Sequence, residues 1–492
     1  MVNKVRTEVI VVGGGPVGML VAAELGLYGV KTVVVEIEAA VVDQPKAGTL
    51  HARAVQGLAR RGYLAAPGQG FEGEAAQPFH FAGMPGLKIG APRGEPKSVL
   101  KIPQAELERL IEKRALECGA TVLRSHRVTG VVQHADRVAV LAEGPEGTVE
   151  LTADYLVGAD GSRSTVRQQI GFTAEVHPAT VSALMGRVRF TDRGSVPPGW
   201  TRTARGWVVC TMSADGEGLV RTARFDGPCQ DRRALVTLSE LSSEVAFILG
   251  RDVPLVEPSS LSRFSDFTRL VHRFSDGRVF LAGDAAHVQF PVGGQGLSTG
   301  LQDAFNLGWK IAYVVRGIMG EHLLSTYHDE RWPAARSVVD NTRAQLALMR
   351  PGRELDPLRE LFASLLSLEG VNEYIGSLIS AQETVYPAPS SAASPWVGRF
   401  FPNQRIETPQ GTVDIAEMQH DGRAVLLLSS GAGTRYEAEA RGRENALRVV
   451  RANGETALPH DALLIRPDGY VAWTADAESP VQSLRTWFGD PD

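Results

Sequence analysis

The stretch Gly13-Gly14-Gly15-Pro16-Val17-Gly18 lies between two short apolar runs, Val9 to Val12 and Thr32 to Val35. Both runs are rich in β-branched residues, and Val9 to Val12 is uniformly apolar, which is typical of a strand buried on both faces. Met19 to Tyr28 has helical character, and the glycine that follows it ends the helix. The order strand, glycine turn, helix, strand predicts a right-handed βαβ unit that opens a parallel sheet.

The glycine turn has the spacing of a dinucleotide-binding motif, with Gly13, Gly15 and Gly18 at its three fixed positions. The first glycine permits the tight turn, the second lets a pyrophosphate approach the backbone, and the third lets helix and strand pack closely. Glu36 ends the second strand and can accept hydrogen bonds from both ribose hydroxyls. An acidic residue there disfavours a ribose 2′-phosphate, so the motif predicts FAD or NAD without separating them.

Two later stretches repeat the pattern of a buried strand, a turn of Gly and Asp, and a helix start: Gly158 to Arg167 and Arg278 to His287. With the first motif and the stretch Pro291 to Lys310, they resemble the flavin-dependent aromatic hydroxylases. These are single-component FAD monooxygenases built like p-hydroxybenzoate hydroxylase. The resemblance continues in Leu464 to Trp473, which is similar to the thioredoxin-like tail of the phenol hydroxylase and polyketide hydroxylase branch.

The predicted fold class is α/β, in three parts. A Rossmann-like FAD-binding domain, residues 1–70, 103–175 and 276–385, is interleaved with an antiparallel-sheet substrate-binding domain, residues 71–102 and 176–275. A linker at 386–396, rich in proline and serine, leads to a thioredoxin-like C-terminal domain at 397–492. All three cysteines precede the linker, so that domain has no C-x-x-C pair and dithiol chemistry is excluded for it. A structural role or a subunit interface is expected instead, which makes a homodimer one expectation.

The residues themselves and the resemblance together predict the FAD contacts. Asp284, at a strand end, can bind the ribityl hydroxyls of a flavin. The Gly293 to Gly296 loop lets the backbone approach a flat ring, and the helix from about Ser298 directs its positive end to the pyrimidine edge. The resemblance implies that Asp160-Gly161 and Gln104 also contact the cofactor. The complete set of predicted FAD contacts is Gly13, Gly15, Pro16, Val17, Gly18, Glu36, Lys46, Arg53, Gln104, Val128, Asp160, Gly161, Gly283, Asp284, Pro291, Gly294, Gly296, Leu297 and Ser298.

Two positions depart from the family pattern. Lys46 stands where relatives often have arginine, and lysine keeps the charge but not the planar bidentate fork, so Arg53 is the alternative cation. Ser298 stands where related sequences often place asparagine, although its backbone amide can still serve.

The substrate surface is expected to come from the two antiparallel regions and from the loop Pro291 to Gly296, which is called the flavin loop. Its predicted members are Phe79, Phe81, Met84, Trp207, Met212, Phe225, Pro291, Val292 and Gly293. No catalytic base is assigned. His287 follows Asp284, and a packed or backbone-bonded histidine is the favoured interpretation. No spacing typical of a metal site is present.

Composition excludes several other classes of protein. The chain has 492 residues, with 51 Lys and Arg against 56 Asp and Glu, and a net charge of −5. This balance gives no electrostatic footprint for nucleic acid or an anionic membrane. The apolar runs are shorter than the roughly 18 residues that a membrane span needs, and the few cysteines indicate a reducing compartment. A cytoplasmic protein is expected.

The resemblance implies a reaction. NAD(P)H, with NADPH preferred, reduces FAD; molecular oxygen adds at flavin carbon 4a; and the hydroperoxide transfers one oxygen atom to an electron-rich ring. The expected substrate is a polycyclic aromatic polyketide, in antibiotic or secondary-metabolite biosynthesis. Alternatives are Baeyer-Villiger or ring-opening oxygenation of a polyketide quinone, and hydroxylation of a simple phenol or an antibiotic. From another class, a redox-inactive flavin-fold binding protein is the rival, and the three intact motifs argue against it.

Overall fold

The computed structural model describes residues 3–64, 76–92, 94–192, 194–213, 215–229, 231, 234–388, 394–453 and 458–475. Its strands are, in chain order, β1 (Asn3–Arg6), β2 (Val9–Val12), β3 (Thr32–Val35), β4 (Leu50–His51), β5 (Gln77–Phe81), β6 (Met84–Ile89), β7 (Val99–Leu100), β8 (Thr121–Leu123), β9 (Arg127–Gln133), β10 (Val138–Gly144), β11 (Gly147–Ala153), β12 (Tyr155–Gly158), β13 (Ala174–His177), β14 (Ser182–Phe190), β15 (Gly199–Thr203), β16 (Gly206–Met212), β17 (Glu217–Ala223), β18 (Leu255–Ser265), β19 (Thr268–Val271), β20 (Ser275–Asp276), β21 (Val279–Leu281), β22 (His287–Val288), β23 (Arg405–Thr408), β24 (Gly411–Asp414), β25 (Ala424–Leu428), β26 (Leu447–Arg451), β27 (Ala462–Ile465) and β28 (Val471–Thr474).

The helices are α1 (Pro16–Gly26), α2 (Ala52–Ala59), α3 (Gln104–Glu117), α4 (Thr165–Ile170), α5 (Leu238–Leu249), α6 (Gly296–Val315), α7 (His322–Met349), α8 (Asp356–Leu366), α9 (Glu369–Ile379), α10 (Ile415–Met418) and α11 (Arg435–Ala440). Three short 3₁₀ turns lie at Gly283–Ala285, Val292–Gly294 and Arg353–Leu355. No helix among the described residues has the length and apolar character needed to cross a membrane.

The central sheet has the strand order β20-β21-β12-β2-β3-β8, and every strand except the edge strand β20 is parallel to its neighbours. Strands β2, β3 and β12 are buried along their whole length, as their uniform apolar sequences require. The chain proceeds from β2 to β3 on one side and to β12 on the other. Such a reversal opens a crevice at the carboxyl ends of the strands, which is where ligands bind in open α/β sheets.

A five-stranded antiparallel sheet, β15-β16-β17-β14-β18, forms the second layer. One face packs against helix α5 through a cluster that includes Val208, Cys210 and Val220. The other face carries Ala183, Trp207 and Ala223, which pack with the β5–β6 hairpin and the ends of α7, α8 and α9. The sheet therefore separates two apolar clusters. Residues that alternate along one strand belong to different clusters.

The C-terminal sheet has the order β26-β25-β27-β28. Strand β25 is parallel to β26 and antiparallel to β27, which forms a further antiparallel pair with β28. This arrangement agrees with the thioredoxin-like domain expected from the sequence. Residues 71–75, at a predicted domain boundary, 389–393 of the linker and 476–492 of the tail lie outside the described residues.

Candidate active site

The three glycine-containing motifs meet at the carboxyl ends of β2, β12 and β21. Gly13 has a φ of +105°, and a Cβ there would collide with the carbonyl oxygen of Ala159. A Cβ on Gly300 would lie 2.7 Å from Val17 Cγ2 and 3.2 Å from Gly283 Cα. The motifs thus pack directly on one another, and the glycines are required at these contacts because any side chain would separate the turns.

Gly15 differs from its neighbours because it faces open space. It is the N-cap residue of α1, with an ordinary φ of −72°, and no atom lies within 4 Å of the position its Cβ would take. Pro16 has no amide hydrogen, and the amides of Val17 and Gly18 begin a helix and have no intrahelical acceptor. An open cradle at a helix N-terminus fits a pyrophosphate, which free amides and the helix dipole would bind.

Glu36 lies beside this cradle. One carboxylate oxygen accepts a hydrogen bond from the Gly14 amide, and the other accepts one from the Glu38 amide at 2.8 Å. The two amides fix the carboxylate at the end of β3. Each oxygen keeps a second lone pair, so the group can still accept hydrogen bonds from ribose hydroxyls.

Asp160 caps helix α4, and one of its oxygens has no partner. Its Oδ2 accepts hydrogen bonds from the amides of Thr165 at 2.7 Å and Val166 at 3.1 Å. Its Oδ1 is buried and has no hydrogen-bond partner among the described residues. Burial raises the pKa of this carboxyl. A buried oxygen without a partner is costly, so a ligand hydroxyl or ordered water is expected at this position.

The third motif is held by a buried ion-pair network. Asp303 of α6 accepts hydrogen bonds from the Gly283 amide at 3.0 Å, from His287 Nε2 at 2.7 Å and from Arg331 Nε at 2.8 Å. The charge of Arg331 lowers the pKa of Asp303 against the effect of burial. His287 is 1% exposed, so it is a packed histidine, in line with the interpretation favoured from the sequence.

Asp284 is the charged residue of this motif that faces the cleft. Its backbone lies in the short turn Gly283–Ala285. Its side chain is exposed on one side and is surrounded by protein on the others. Desolvation raises the pKa of Asp284, and the positive charges of Arg269 and Lys46 act in the opposite direction. Lys46 is itself exposed.

The loop before α6 gives the cleft its second wall. Gly293 and Gly294 have φ values of +75° and +66°, which favour glycine. The carbonyl of Gly293 lies 2.7 Å from Nε2 of His51, and the Ser298 hydroxyl accepts a hydrogen bond from the His51 amide at 3.0 Å. Burial lowers the pKa of His51 to about 4, so the ring is neutral and donates from Nε2. His51 Nδ1 is then a buried acceptor without a described partner.

Three predicted contacts outside the glycine motifs take different positions. The backbone amide of Gln104 donates a hydrogen bond to the Ala47 carbonyl at 3.0 Å, which holds the start of α3 against the segment that contains Lys46. Val128 lies in β9 opposite Ala142 and packs against the core of the FAD-binding domain. Pro291 is exposed at the start of the flavin loop.

Arg53 points away from the motifs that form the cleft. Its guanidinium lies 3.9 Å from the ring centre of Phe400 and donates to Gln56 Oε1 at 2.7 Å and to the Gln382 carbonyl at 3.2 Å. The side chain is buried against the segment that leads into the C-terminal domain. The idea that Arg53 replaces the family's arginine at the cofactor is thus corrected, because its two terminal nitrogens bind Gln56 and Gln382 and its charge lies over the Phe400 ring.

Most of the predicted substrate residues share one apolar cluster. Five side chains from β5, β6, β16 and the segment after β17 belong to it, together with one residue of the flavin loop: Phe79, Phe81, Met84, Trp207, Phe225 and Val292. Met212 does not, because it packs on the opposite face with Val208 and Cys210. The prediction for Met212 is wrong for a simple reason. It lies five positions after Trp207, and an odd offset along a strand reverses the face.

Sequence reasoning missed the residues that hold the loops in place: His51, Asp303 and Arg331. A signal existed for Asp303, since it is a lone carboxylate among buried apolar residues of α6 and buried charges are paired. His51 lies in the same segment as Lys46 but was given no role. Its partner in the flavin loop, Gly293, lies 242 positions later in the sequence, and no residue near His51 indicates this contact.

The chain matches two known protein-family models. Residues 6–342 match the family model described as FAD binding domain, and residues 394–491 match the model described as aromatic-ring hydroxylase, C-terminal. The chain belongs to the FAD-dependent aromatic-ring hydroxylases. The family and the cofactor FAD predicted from the sequence are both confirmed.

Individual members of the family are similar over the whole chain. A 12-dehydrotetracycline 5-monooxygenase/anhydrotetracycline 6-monooxygenase of Streptomyces rimosus is 38% identical over 509 residues and covers 99% of each chain. The structure of CabE, an aromatic hydroxylase from angucycline biosynthesis, is 33% identical, covers 99% of this chain and 100% of its own, and has a TM-score of 0.91. A dialkyldecalin synthase of Streptomyces rugosporus is 36% identical over 484 residues and covers 98% of each chain.

Proposed function

We propose that this aromatic-ring hydroxylase uses NADPH and molecular oxygen to hydroxylate a polycyclic aromatic polyketide in the biosynthesis of an antibiotic or related metabolite. The observation that carries the proposal is the position of Val292. This residue lies within the flavin loop and at the same time in the apolar cluster of the antiparallel sheet. A cofactor on the loop and an aromatic molecule in the cluster would therefore be neighbours.

The residues present fit FAD. The open cradle at Gly15, the unpartnered oxygen of Asp160 and the exposed carboxylate of Asp284 offer amides for phosphates and carboxylates for hydroxyls. The contacts we propose are Gly13, Gly15, Pro16, Val17, Gly18, Glu36, Lys46, Gln104, Val128, Asp160, Gly161, Gly283, Asp284, Pro291, Gly294, Gly296, Leu297 and Ser298. When bound, FAD supplies the redox chemistry, namely acceptance of a hydride and activation of oxygen.

The protein's own contribution is to fix geometry and charge. The free amides at the start of α6 and the positive end of its dipole stabilise negative charge beside the loop. Asp303 accepts a hydrogen bond from the Gly283 amide, and His51 donates one to the Gly293 carbonyl. These hydrogen bonds fix the turn at Gly283 and the flavin loop. No side chain is assigned as a base. A phenolic substrate is already electron-rich, so a hydrogen-bond partner for its hydroxyl group is sufficient.

Water exclusion is the second contribution. Phe79, Phe81, Met84, Trp207 and Phe225 surround the face of the sheet that meets the flavin loop. A dry, apolar wall suits a fused aromatic ring system and limits the wasteful release of hydrogen peroxide.

NADPH is proposed to bind transiently. Glu36 occupies the ribose position of the glycine motif and would repel a 2′-phosphate, so that motif serves the flavin. The sequence carries no second motif of this kind.

One comparison favours a second candidate. The dialkyldecalin synthase is a relative of similar length whose name describes no oxygenation. A flavoprotein that binds a polyketide without redox turnover is therefore the competing function.

The experiment is to add a panel of anthraquinones, tetracyclic polyketides and simple phenols to the purified holoenzyme. NADPH oxidation, hydroxylated product and hydrogen peroxide are measured together. The proposal predicts that polycyclic compounds stimulate oxidation and that product exceeds peroxide. Stimulation by phenols alone would contradict the substrate class, and tight binding without any oxidation would favour the second candidate. The structure of the product separates hydroxylation from Baeyer-Villiger insertion.

A further inference from the structure

A chain of side-chain amides on helix α7 joins the flavin loop to the hairpin of β5 and β6. Gln295 of the loop donates a hydrogen bond from Nε2 to Asn341 Oδ1 at 3.0 Å. Gln345, one helical turn after Asn341, donates from its own Nε2 to the same oxygen at 2.8 Å. Gln345 Oε1 in turn accepts a hydrogen bond at 3.0 Å from the amide of Ala82, in the turn between the two strands. The loop and the hairpin are therefore connected by a continuous polar link.

The direction of this chain is fixed at its hairpin end. A backbone amide can only donate, so Gln345 has to present its oxygen to Ala82 and its nitrogen to Asn341. Asn341 then has to accept with its oxygen, which leaves Gln295 as the second donor. All three side chains are buried, and a buried polar group without a partner is costly. Each hydrogen bond of the chain therefore depends on the next.

The Ala82 turn needs support from outside the hairpin. Ala82 has a φ of +53°, a conformation that alanine rarely adopts. Gly83, which follows it, packs on two rings of the apolar cluster, since a Cβ there would lie 2.9 Å from a carbon of Trp200 and 2.9 Å from a carbon of Trp207. Such a backbone persists only where its surroundings hold it. The hydrogen bond to Gln345 therefore helps to set where the turn meets these rings.

The loop end of the chain is packed just as closely. A Cβ on Gly293 would lie 3.1 Å from Gln345 Nε2 and 3.2 Å from Gln295 Nε2. His51, which binds the carbonyl of Gly293, also contacts Phe79 of the hairpin edge to face, with ring centres 5.3 Å apart. The flavin loop thus meets the same hairpin by two routes, one polar and one aromatic.

We propose that Gln345 and Asn341 are positioning residues, which transmit the position of the flavin loop to the hairpin that forms one wall of the substrate pocket. A loop that is ordered by bound cofactor orders the Ala82 turn through the chain of amides, and the aromatic substrate is then held at a constant distance from the flavin. This inference rests on the proposed function and names the residues that adjust its pocket. Hydrogen bonds in a buried chain strengthen one another, so order at one end favours order at the other.

Hydrogen exchange measured by mass spectrometry tests the link on the purified protein with and without FAD. In the wild type, peptides that contain Ala82 should exchange about 2- to 10-fold more slowly with FAD bound, which is the factor expected for one neutral hydrogen bond. Asn341→Leu removes the acceptor shared by Gln295 and Gln345, so the response to FAD should disappear. Gln345→Met breaks the chain at the hairpin and should abolish the response in the same way.

The matched control is Asn372→Leu in α9. Asn372 also holds the hairpin, because it accepts a hydrogen bond from the Lys88 amide at 2.9 Å and donates one to the Gly86 carbonyl at 2.8 Å. Neither hydrogen bond involves the flavin loop. Exchange in the hairpin should be faster in this variant, but FAD should still slow it. FAD content and melting temperature verify that each variant is folded and loaded.

A polycyclic compound that stimulates NADPH oxidation gives a second readout. Asn341→Leu should lower the ratio of hydroxylated product to hydrogen peroxide about 10-fold, because a misplacement of about 1 Å can cost as much as 10²-fold in rate. Asn372→Leu should keep the wild-type ratio. A purely structural role for Asn341 would lower the melting temperature without changing this ratio.

Exchange that does not respond to FAD in the wild type, or a response that survives in Asn341→Leu or Gln345→Met, would overturn the inference. Loss of the response in Asn372→Leu would also overturn it, because the effect would then be a general loosening of the hairpin, and so would an unaltered product ratio in Asn341→Leu. If exchange responds to FAD through Asn341 but no polycyclic compound is hydroxylated, the link stands and the proposed function fails. If product forms while Asn341→Leu still responds to FAD, the function stands and the link fails.

Discussion

Alanine at Gly15 should separate cofactor binding from folding. The residue has a φ of −72°, which alanine adopts readily, and the added Cβ would meet no protein atom within 4 Å. Loss of glycine's freedom in the unfolded chain favours the variant, and the weaker N-cap preference of alanine opposes this, so the apo protein's melting temperature should change by less than about 2 °C. The methyl group would instead occupy the space proposed for the pyrophosphate.

The expected loss of affinity follows from the contacts at stake. A hydrogen bond to a charged group is worth about 1.5–3 kcal/mol, so displacement of one amide contact should weaken FAD about 10- to 150-fold. Fluorescence titration of the apo protein with FAD measures this affinity. Gly13→Ala is the control, because its φ of +105° and the collision with Ala159 should lower the melting temperature even without FAD. A Gly15→Ala variant that binds FAD as tightly as the wild type would refute the assignment of this turn.

Two further predictions concern buried charge. Arg466→Met removes the cation that the buried carboxylates of Glu330 and Asp468 share, whose ion pairs are 2.6 and 2.5 Å long, and should destabilise the protein by about 3–5 kcal/mol. Loss of the partly exposed pair in Arg448→Met should cost less than about 1 kcal/mol, and equal melting temperatures for the two variants would contradict this. Burial lowers the pKa of His51 to about 4 from about 6.5 in the unfolded chain, so its contribution to stability is complete above about pH 6.5 and is lost as pH falls towards 4. The melting temperature of His51→Asn should then fall less than that of the wild type over this range, and parallel pH profiles would argue against a neutral buried ring.

Local sequence patterns were enough to predict the fold of the FAD-binding domain around the glycine turn. Val9–Val12 is uniformly apolar and Thr32–Val35 is apolar after its first residue, and the glycine turn between them has a geometry that few other residues permit. Such features depend on neighbours within the same segment. The strand, turn and helix order was therefore readable, and with it the position of the crevice at the strand ends.

The remaining errors came from contacts between distant segments. Arg53 stacks on Phe400, which is 347 positions later, and nothing near Arg53 in the sequence indicates that partner. Met212 looked like other apolar strand residues, and its face became clear only with the register of β16 against β17. Helix α5, which covers that face, was not predicted within the antiparallel region. Which side of a sheet meets a ligand depends on what packs on the other side.

The most direct test of the central claim is incorporation of labelled oxygen. The holoenzyme is incubated with NADPH, ¹⁸O₂ and a polycyclic aromatic polyketide that stimulates NADPH oxidation, and the product is examined by mass spectrometry and its structure determined. The expected product contains one atom of ¹⁸O per molecule, present as a hydroxyl group on an intact ring system. A product without ¹⁸O, or NADPH oxidation that yields only hydrogen peroxide with every polycyclic compound, would contradict it.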